Sequence, residues 1–150
     1  MLRSRLSVSL LIKDKSLVKS VNFKSLTYIG DPINTVRTFN EKLVDELILL
    51  DIETSKLKKK IDFDFLKIIA SKGRMPIAYG GGVKSLDDVE KLISIGIEKV
   101  IFGSSAFENK NLLLDAIQSV GAQSICVILD IKKPRFSSNY CVFINNGRKK

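Results

Sequence analysis

Two short stretches of this sequence have the composition of an anion cradle. Gly80-Gly81-Gly82 directly follows the apolar run Pro76–Tyr79, and Gly103-Ser104-Ser105 closes the run Lys99–Gly103. Glycines let a ligand approach the backbone closely, and their N–H groups, with serine hydroxyls, can surround a phosphate. A glycine triplet also serves as a tight strand-to-helix turn. Two neighbouring runs offering glycine and hydroxyl at the same end weigh toward a phosphate site made by Gly81, Gly82, Gly103 and Ser104.

Two carboxylates fall at that same end. Asp51 closes Leu47–Asp51, and Asp130 closes Cys126–Asp130. A carboxylate ending an apolar barrel strand points into the functional face, although backbone groups or a lysine can equally well satisfy it. Lys19, on the long connection after the first apolar run, is placed to supply a cation beside them. The chain contains no histidine. That removes Ser-His-Asp and Cys-His machinery and most zinc hydrolase sites. Acid–base work falls to Asp, Glu, Lys, Tyr or Cys. The two cysteines, Cys126 and Cys141, form no CxxC pair and read as reduced thiols of a cytoplasmic protein. No metal centre or cofactor is expected.

The net charge of +9 raises the odds of an anionic partner. The basic residues are scattered, however. The one dense cluster, Lys56-Leu57-Lys58-Lys59-Lys60, reads as a solvated loop, and no nucleic-acid motif accompanies it. Near the N-terminus, Arg3 and Arg5 precede the run Leu6–Ile12. Lys13-Asp14-Lys15 follows where a secretory signal would carry a small-residue cleavage site. The run is too short to span a bilayer. It reads as a buried strand, and neither a membrane nor a nucleic-acid partner is expected.

Elements that position these residues follow from periodicity. Short apolar runs at Leu6–Ile12, Glu46–Ile52, Pro76–Tyr79, Lys99–Gly103 and Ser124–Asp130 read as strands. Between them lie stretches with helical spacing: Val36, Phe39 and Leu43; Phe65, Ile68 and Ile69; Val89, Leu92 and Ile93; Leu113, Ala116 and Ile117. Asp31-Pro32 and Ser85 open helices, and Gly96 and Gly121 close them. The pattern predicts an α/β fold with a parallel sheet, four βα units and a fifth strand. From about residue 132, Lys132-Lys133-Pro134, Phe136–Ile144 and Asn145-Asn146-Gly147 predict a hairpin excursion and a basic tail within one domain covering 1–150. A chain of 150 residues is enough for one domain. A closed eight-stranded barrel needs roughly 200 or more. The expectation is a half-barrel, a truncated product or a piece of a larger assembly. Unpaired edges at the first and fifth strands would favour a homodimer.

Lys19, Gly30-Asp31-Pro32, the stretch Asp45–Ile52, Gly80–Gly82 and Asp130 together resemble the cyclase subunit of imidazole glycerol phosphate synthase. The resemblance covers the whole chain, but only the first half of that family's (β/α)₈ barrel. It implies an enzyme that receives ammonia from a glutaminase docked at the barrel bottom and delivers it to a phosphorylated substrate at the top. One of the family's two acid–base carboxylates falls on Asp130; the other falls on Leu11, which cannot transfer a proton. Lys19 and Asp51 belong to the matching substrate region. The first phosphate site maps to Gly81, Gly82, Gly103 and Ser104, with glycine at 103 in place of an asparagine. Three of the four residues that gate the ammonia channel map to Arg5, Glu46 and Lys99.

The segments Leu10-Leu11, Leu17-Val18-Lys19, Tyr28–Asn34 and Phe39–Lys42 resemble more closely a paralogous branch found in surface-polysaccharide gene clusters. That resemblance implies a glutaminase partner and ammonia supply to a separate sugar amidotransferase, which installs an acetamidino group on a nucleotide-linked sugar. The cyclase of histidine biosynthesis, and a non-catalytic phosphate-binding half-barrel, stand beside it as other readings.

Overall fold

The structure, a computed structural model, describes residues 3–21, 25–54, 56–57, 59–133 and 139–144. Lys58, Pro134, Phe136 and the segment Asn145-Asn146-Gly147 lie outside them. Alternation builds the first strand, β1 (Ser7–Lys13): Leu10 and Ile12 turn one way and are buried, while Leu11 turns the other way and is half-buried. Asp14 and Lys15 then adopt φ of 44° and 60°. Two successive left-handed residues are the signature of a tight hairpin turn whose twist matches its strands. The chain therefore folds back as β2 (Ser16–Val21), antiparallel to β1, and turns again into β3 (Ser25–Gly30), antiparallel to β2. The sequence reading made this segment a connection; the structure makes it a hairpin.

Helix and strand then alternate as expected. Asp31 accepts a hydrogen bond from the Asn34 N–H at 2.8 Å and caps α1 (Pro32–Glu41), with Pro32 in its first turn. β4 (Glu46–Asp51) leads to α2 (Phe63–Lys72), capped by Asp62, and β5 (Ile77–Gly80) leads to α3 (Leu86–Ser94). Ser85 and Asp88 exchange side-chain and backbone hydrogen bonds in a full capping box on α3. β6 (Lys99–Phe102) runs into the single-turn α4 (Ser105–Glu108), then α5 (Lys110–Val120) and β7 (Ile125–Val127). The excursion beyond is a two-stranded antiparallel pair, β8 (Asp130–Lys132) and β9 (Cys141–Phe143).

The main sheet has the order β3-β2-β1-β4-β5-β6-β7, parallel from β1 through β7, and does not close among the described residues. It is the partial barrel that the pattern predicts. Leu47, Leu49, Ile77, Tyr79, Val100 and Phe102 face the helices and meet Val36, Leu66, Ile69, Val89, Leu92 and Ala116 in one core. No helix among the described residues is long and apolar enough to cross a membrane.

Four expectations need correction. Leu43 lies past the end of α1 with φ 54° and is 85% exposed, so Val44 enters the core instead. Ile68 is exposed on α2, where Leu66 and Ile69 are the buried pair. Asp130 does not close the fifth strand, which ends at Val127; it begins β8 opposite Phe143. Finally, β1 is not a bare edge along its whole length, because Leu11–Lys13 pair with Ser16–Val18.

Candidate functional site

The C-terminal ends of the parallel strands surround a cleft of about 180 Å³. Its floor comes from residues that alternate away from the helix-packed core: Leu11, Leu50, Gly80 and Ile101. Gly81, Gly82, Gly103, Ser104, Asp51 and Asp130 also line it, so both glycine turns and both carboxylates meet at one place. Phe143 and Ile144 of the second hairpin form part of the wall. Lys19 is not in this group. It sits exposed on β2 opposite Thr27. Lys13 and Lys59 instead bind acidic groups beside the first turn. Lys13 pairs with Glu53 at 3.4 Å, while Lys59 reaches Glu53 at 3.0 Å and Asp14 at 2.8 Å. The Lys59 hydrogen bond holds the Asp14 carboxyl below its usual range.

The two glycine turns differ in what enforces them. Gly81 and Gly82 have φ of +140° and +70°. A Cβ on Gly81 would stand 2.6 Å from the Asp51 carbonyl oxygen, and one on Gly82 would stand 2.2 Å from Thr54 Cγ2. Both positions therefore require glycine on steric and conformational grounds. A Cβ on Gly103 would meet only Ile128 Cγ2, at an ordinary 3.6 Å, so a side chain fits there. No acceptor among the described residues takes the Gly82 N–H.

Asp51 is already engaged. Its Oδ1 accepts from the N–H groups of Glu53 at 3.0 Å and Thr54 at 2.9 Å, and its Oδ2 accepts from the Thr54 hydroxyl at 2.6 Å. Tyr79 lies fully buried beneath, with its hydroxyl against Thr54 and Asp51. Burial, and then the Asp51 charge, push this phenol well above its usual range, so it remains protonated. Sequence reasoning missed both Thr54 and Tyr79. Periodicity reads Tyr79 as a core aromatic, and nothing local ties Thr54 to the glycines. Asp130 and Leu11 both line the cleft, so it holds a carboxylate at one of these positions and a hydrocarbon at the other.

A second cluster lies at the opposite, N-terminal end of the sheet. Glu46 opens β4 and Lys99 opens β6, and the two side chains are directly hydrogen-bonded. Ser7 donates to Glu46 at 3.0 Å, and Arg5 adds an attractive charge. The Lys99 hydrogen bond, with smaller help from Ser7 and Arg5, outweighs burial and holds the Glu46 carboxyl below its usual range. A depressed carboxyl contributes stability that is present above the unfolded-state value of about 4.3 and is lost as pH falls through the folded value. The thermal midpoint of the unmodified chain should therefore fall further on acidification than that of Glu46→Gln; equal falls would remove the pair from the account.

The sequence profile of the family described as "Histidine biosynthesis protein" matches residues 5–150. The chain belongs to that family. It is 47% identical, over its whole length, to a Vibrio vulnificus protein provisionally named imidazole glycerol phosphate synthase subunit hisF3, of which it covers 58%. It is 44% identical over its whole length to a Leptospira borgpetersenii protein, provisionally named as subunit HisF of the same synthase, of which it covers 59%. A Campylobacter concisus protein, named imidazole glycerol phosphate synthase subunit HisF, is 39% identical over 91% of the chain and is covered to 54%. This member of the histidine biosynthesis family thus spans a little over half the length of the relatives it matches. The resemblance read from Lys19, Gly80–Gly82 and Asp130 identified the same family.

Proposed function

We propose that the chain is part of a synthase subunit that uses glutamine-derived ammonia from a glutaminase partner, and that its role is supplying a sugar amidotransferase in the acetamidino modification of a nucleotide-linked sugar. The observation that carries this reading is that Leu11 and Asp130 both line the cleft, while Arg5, Glu46 and Lys99 cluster at the opposite end. Cyclisation by the family's scheme needs two carboxylates, and here one is a hydrocarbon. Ammonia passage needs no proton transfer at Leu11, only a path and a gate. In this reading Gly81, Gly82, Gly103 and Ser104 hold the phosphate of a small substrate through backbone N–H groups. Asp130 is the one cleft carboxylate left for proton transfer, since Asp51 is engaged by its own turn. A cyclase of histidine biosynthesis is the second reading, favoured by the names of relatives such as the Campylobacter concisus subunit.

Glutamine hydrolysis by a glutaminase subunit of this synthase class, measured with and without the chain, tests the proposal. Stimulation that Lys99→Glu abolishes supports it; a glutaminase that neither binds the chain nor responds to it contradicts it.

Assembly belongs to the same proposal. The outer edge of β7 has no strand beside it among the described residues, and Val127, Ile128 and Leu129 are 40%, 43% and 44% exposed. Such an edge is a template for pairing. Light scattering of the 150-residue chain at micromolar concentration should find a homodimer or larger species; a monodisperse monomer would contradict this part.

A further inference from the structure

Thr54 is the one polar residue buried among the described residues, 4% exposed, and its side chain is used at both ends. Its hydroxyl donates to Asp51 at 2.6 Å. Its methyl occupies the space beside Gly82, so close that a Cβ there would stand 2.2 Å away. Asp51 in turn presses on Gly81 through its carbonyl oxygen and Cβ. Tyr79, 1% exposed on the strand that leads into the glycine triplet, brings a hydroxyl to this same pair. A phenylalanine would fill the same core volume without it. A buried hydroxyl costs free energy unless it is hydrogen-bonded, and that of Thr54 is spent on a turn that lies against two glycines with positive φ.

Glycine backbones have the widest conformational freedom of any residue. An anion site made from them gains affinity when something else fixes their geometry before the ligand arrives. We infer that Thr54 and Tyr79 are positioning residues: they fix the Asp51–Thr54 turn, and through it hold the Gly81–Gly82 backbone in the conformation that presents the Gly82 N–H to an anion. This inference rests on the anion-binding reading of the cleft. It also assigns Asp51 to the support of the site rather than to direct contact with substrate.

The test uses the 150-residue chain, inorganic phosphate as the probe, and amide NMR as the readout. Thr54→Val and Tyr79→Phe keep shape and remove a hydroxyl, while Thr54→Ser keeps the hydroxyl. In the free chain, the order parameters of the Gly81 and Gly82 amides should lie near the rigid value of about 0.85 and drop toward 0.6 in Thr54→Val and Tyr79→Phe. The phosphate Kd should rise at least fivefold in both, and Thr54→Ser should stay within twofold of the unmodified chain. Order parameters along α5, which packs on α3, α4 and β7, should not move; this separates loosening of the nest from general destabilisation. Variants that bind phosphate like the unmodified chain, with unchanged glycine order parameters, would overturn the inference and leave the anion site standing. Failure of the unmodified chain itself to bind phosphate at Gly82 would overturn the site reading, and with it the function given to the two positioning residues.

Discussion

Gly82→Val abolishes phosphate binding in the cleft while the chain stays folded. The variant must place a β-branched side chain at φ +70°, with its Cβ 2.2 Å from Thr54 Cγ2. Conformational strain of about 1–3 kcal/mol and overpacking of about 1–3 kcal/mol act together there. Domain stability is typically about 5–15 kcal/mol, so most of the fold survives. The local backbone does not survive unchanged, because the cheapest relief is to turn residue 82 away from Thr54 and carry its N–H out of the cleft. Gly103→Asn is the matched control. Its Cβ meets nothing closer than Ile128 Cγ2 at 3.6 Å, so the side chain enters the cleft without strain and adds a donor. Phosphate titration of the two variants should show loss of saturable binding in the first and equal or tighter binding in the second. Equal affinities would detach the glycine turns from anion recognition.

The unmodified chain should give no measurable cyclisation of the histidine-pathway substrate with ammonium salts as the nitrogen source. Leu11 lines the cleft in the place where the family resemblance puts a carboxylate. A positioned acid or base is worth roughly 10²–10⁴-fold in rate, which is about 2.7–5.4 kcal/mol of barrier at about 1.36 kcal/mol per tenfold. Leu11→Asp restores the group but not the rest of the substrate site, since the chain covers 58% of the Vibrio vulnificus relative. Turnover should therefore stay undetectable in the variant as well. Robust product formation by the unmodified chain would favour the histidine cyclase reading over the amidination one.

What could be read from the sequence was whatever local chemistry decides. The runs Leu47–Asp51 and Lys99–Gly103 are strands because nothing in them breaks an apolar stretch, and parallel because helical spacing separates them. Asp31-Pro32 and Ser85 with Asp88 cap helices through contacts within four residues. The hairpin of β2 and β3 was not legible. Its turn is Asp14-Lys15, without the glycine or asparagine that usually marks two left-handed residues. Lys19 rides on that hairpin rather than on an irregular connection. Asp130 was misread in its element but not its location, because β7 ends at Val127 and the carboxylate lines the cleft from the start of the next strand. Thr54 and Tyr79 were invisible for a deeper reason. Their role depends on β4 and β5 lying side by side, with Leu49 opposite Tyr79 and Leu50 opposite Gly80. No one-dimensional pattern records that register.

The account stands on the cleft being an anion site, and a crystal structure grown in phosphate tests it most directly. The expected result is a phosphate within hydrogen-bond distance of the Gly82 and Ser104 N–H groups, with the carboxylate of Asp51 still turned to Thr54 and not to the anion. A phosphate that instead settles on the basic stretch Lys56–Lys60, leaving Gly82 and Ser104 without it, would contradict the account.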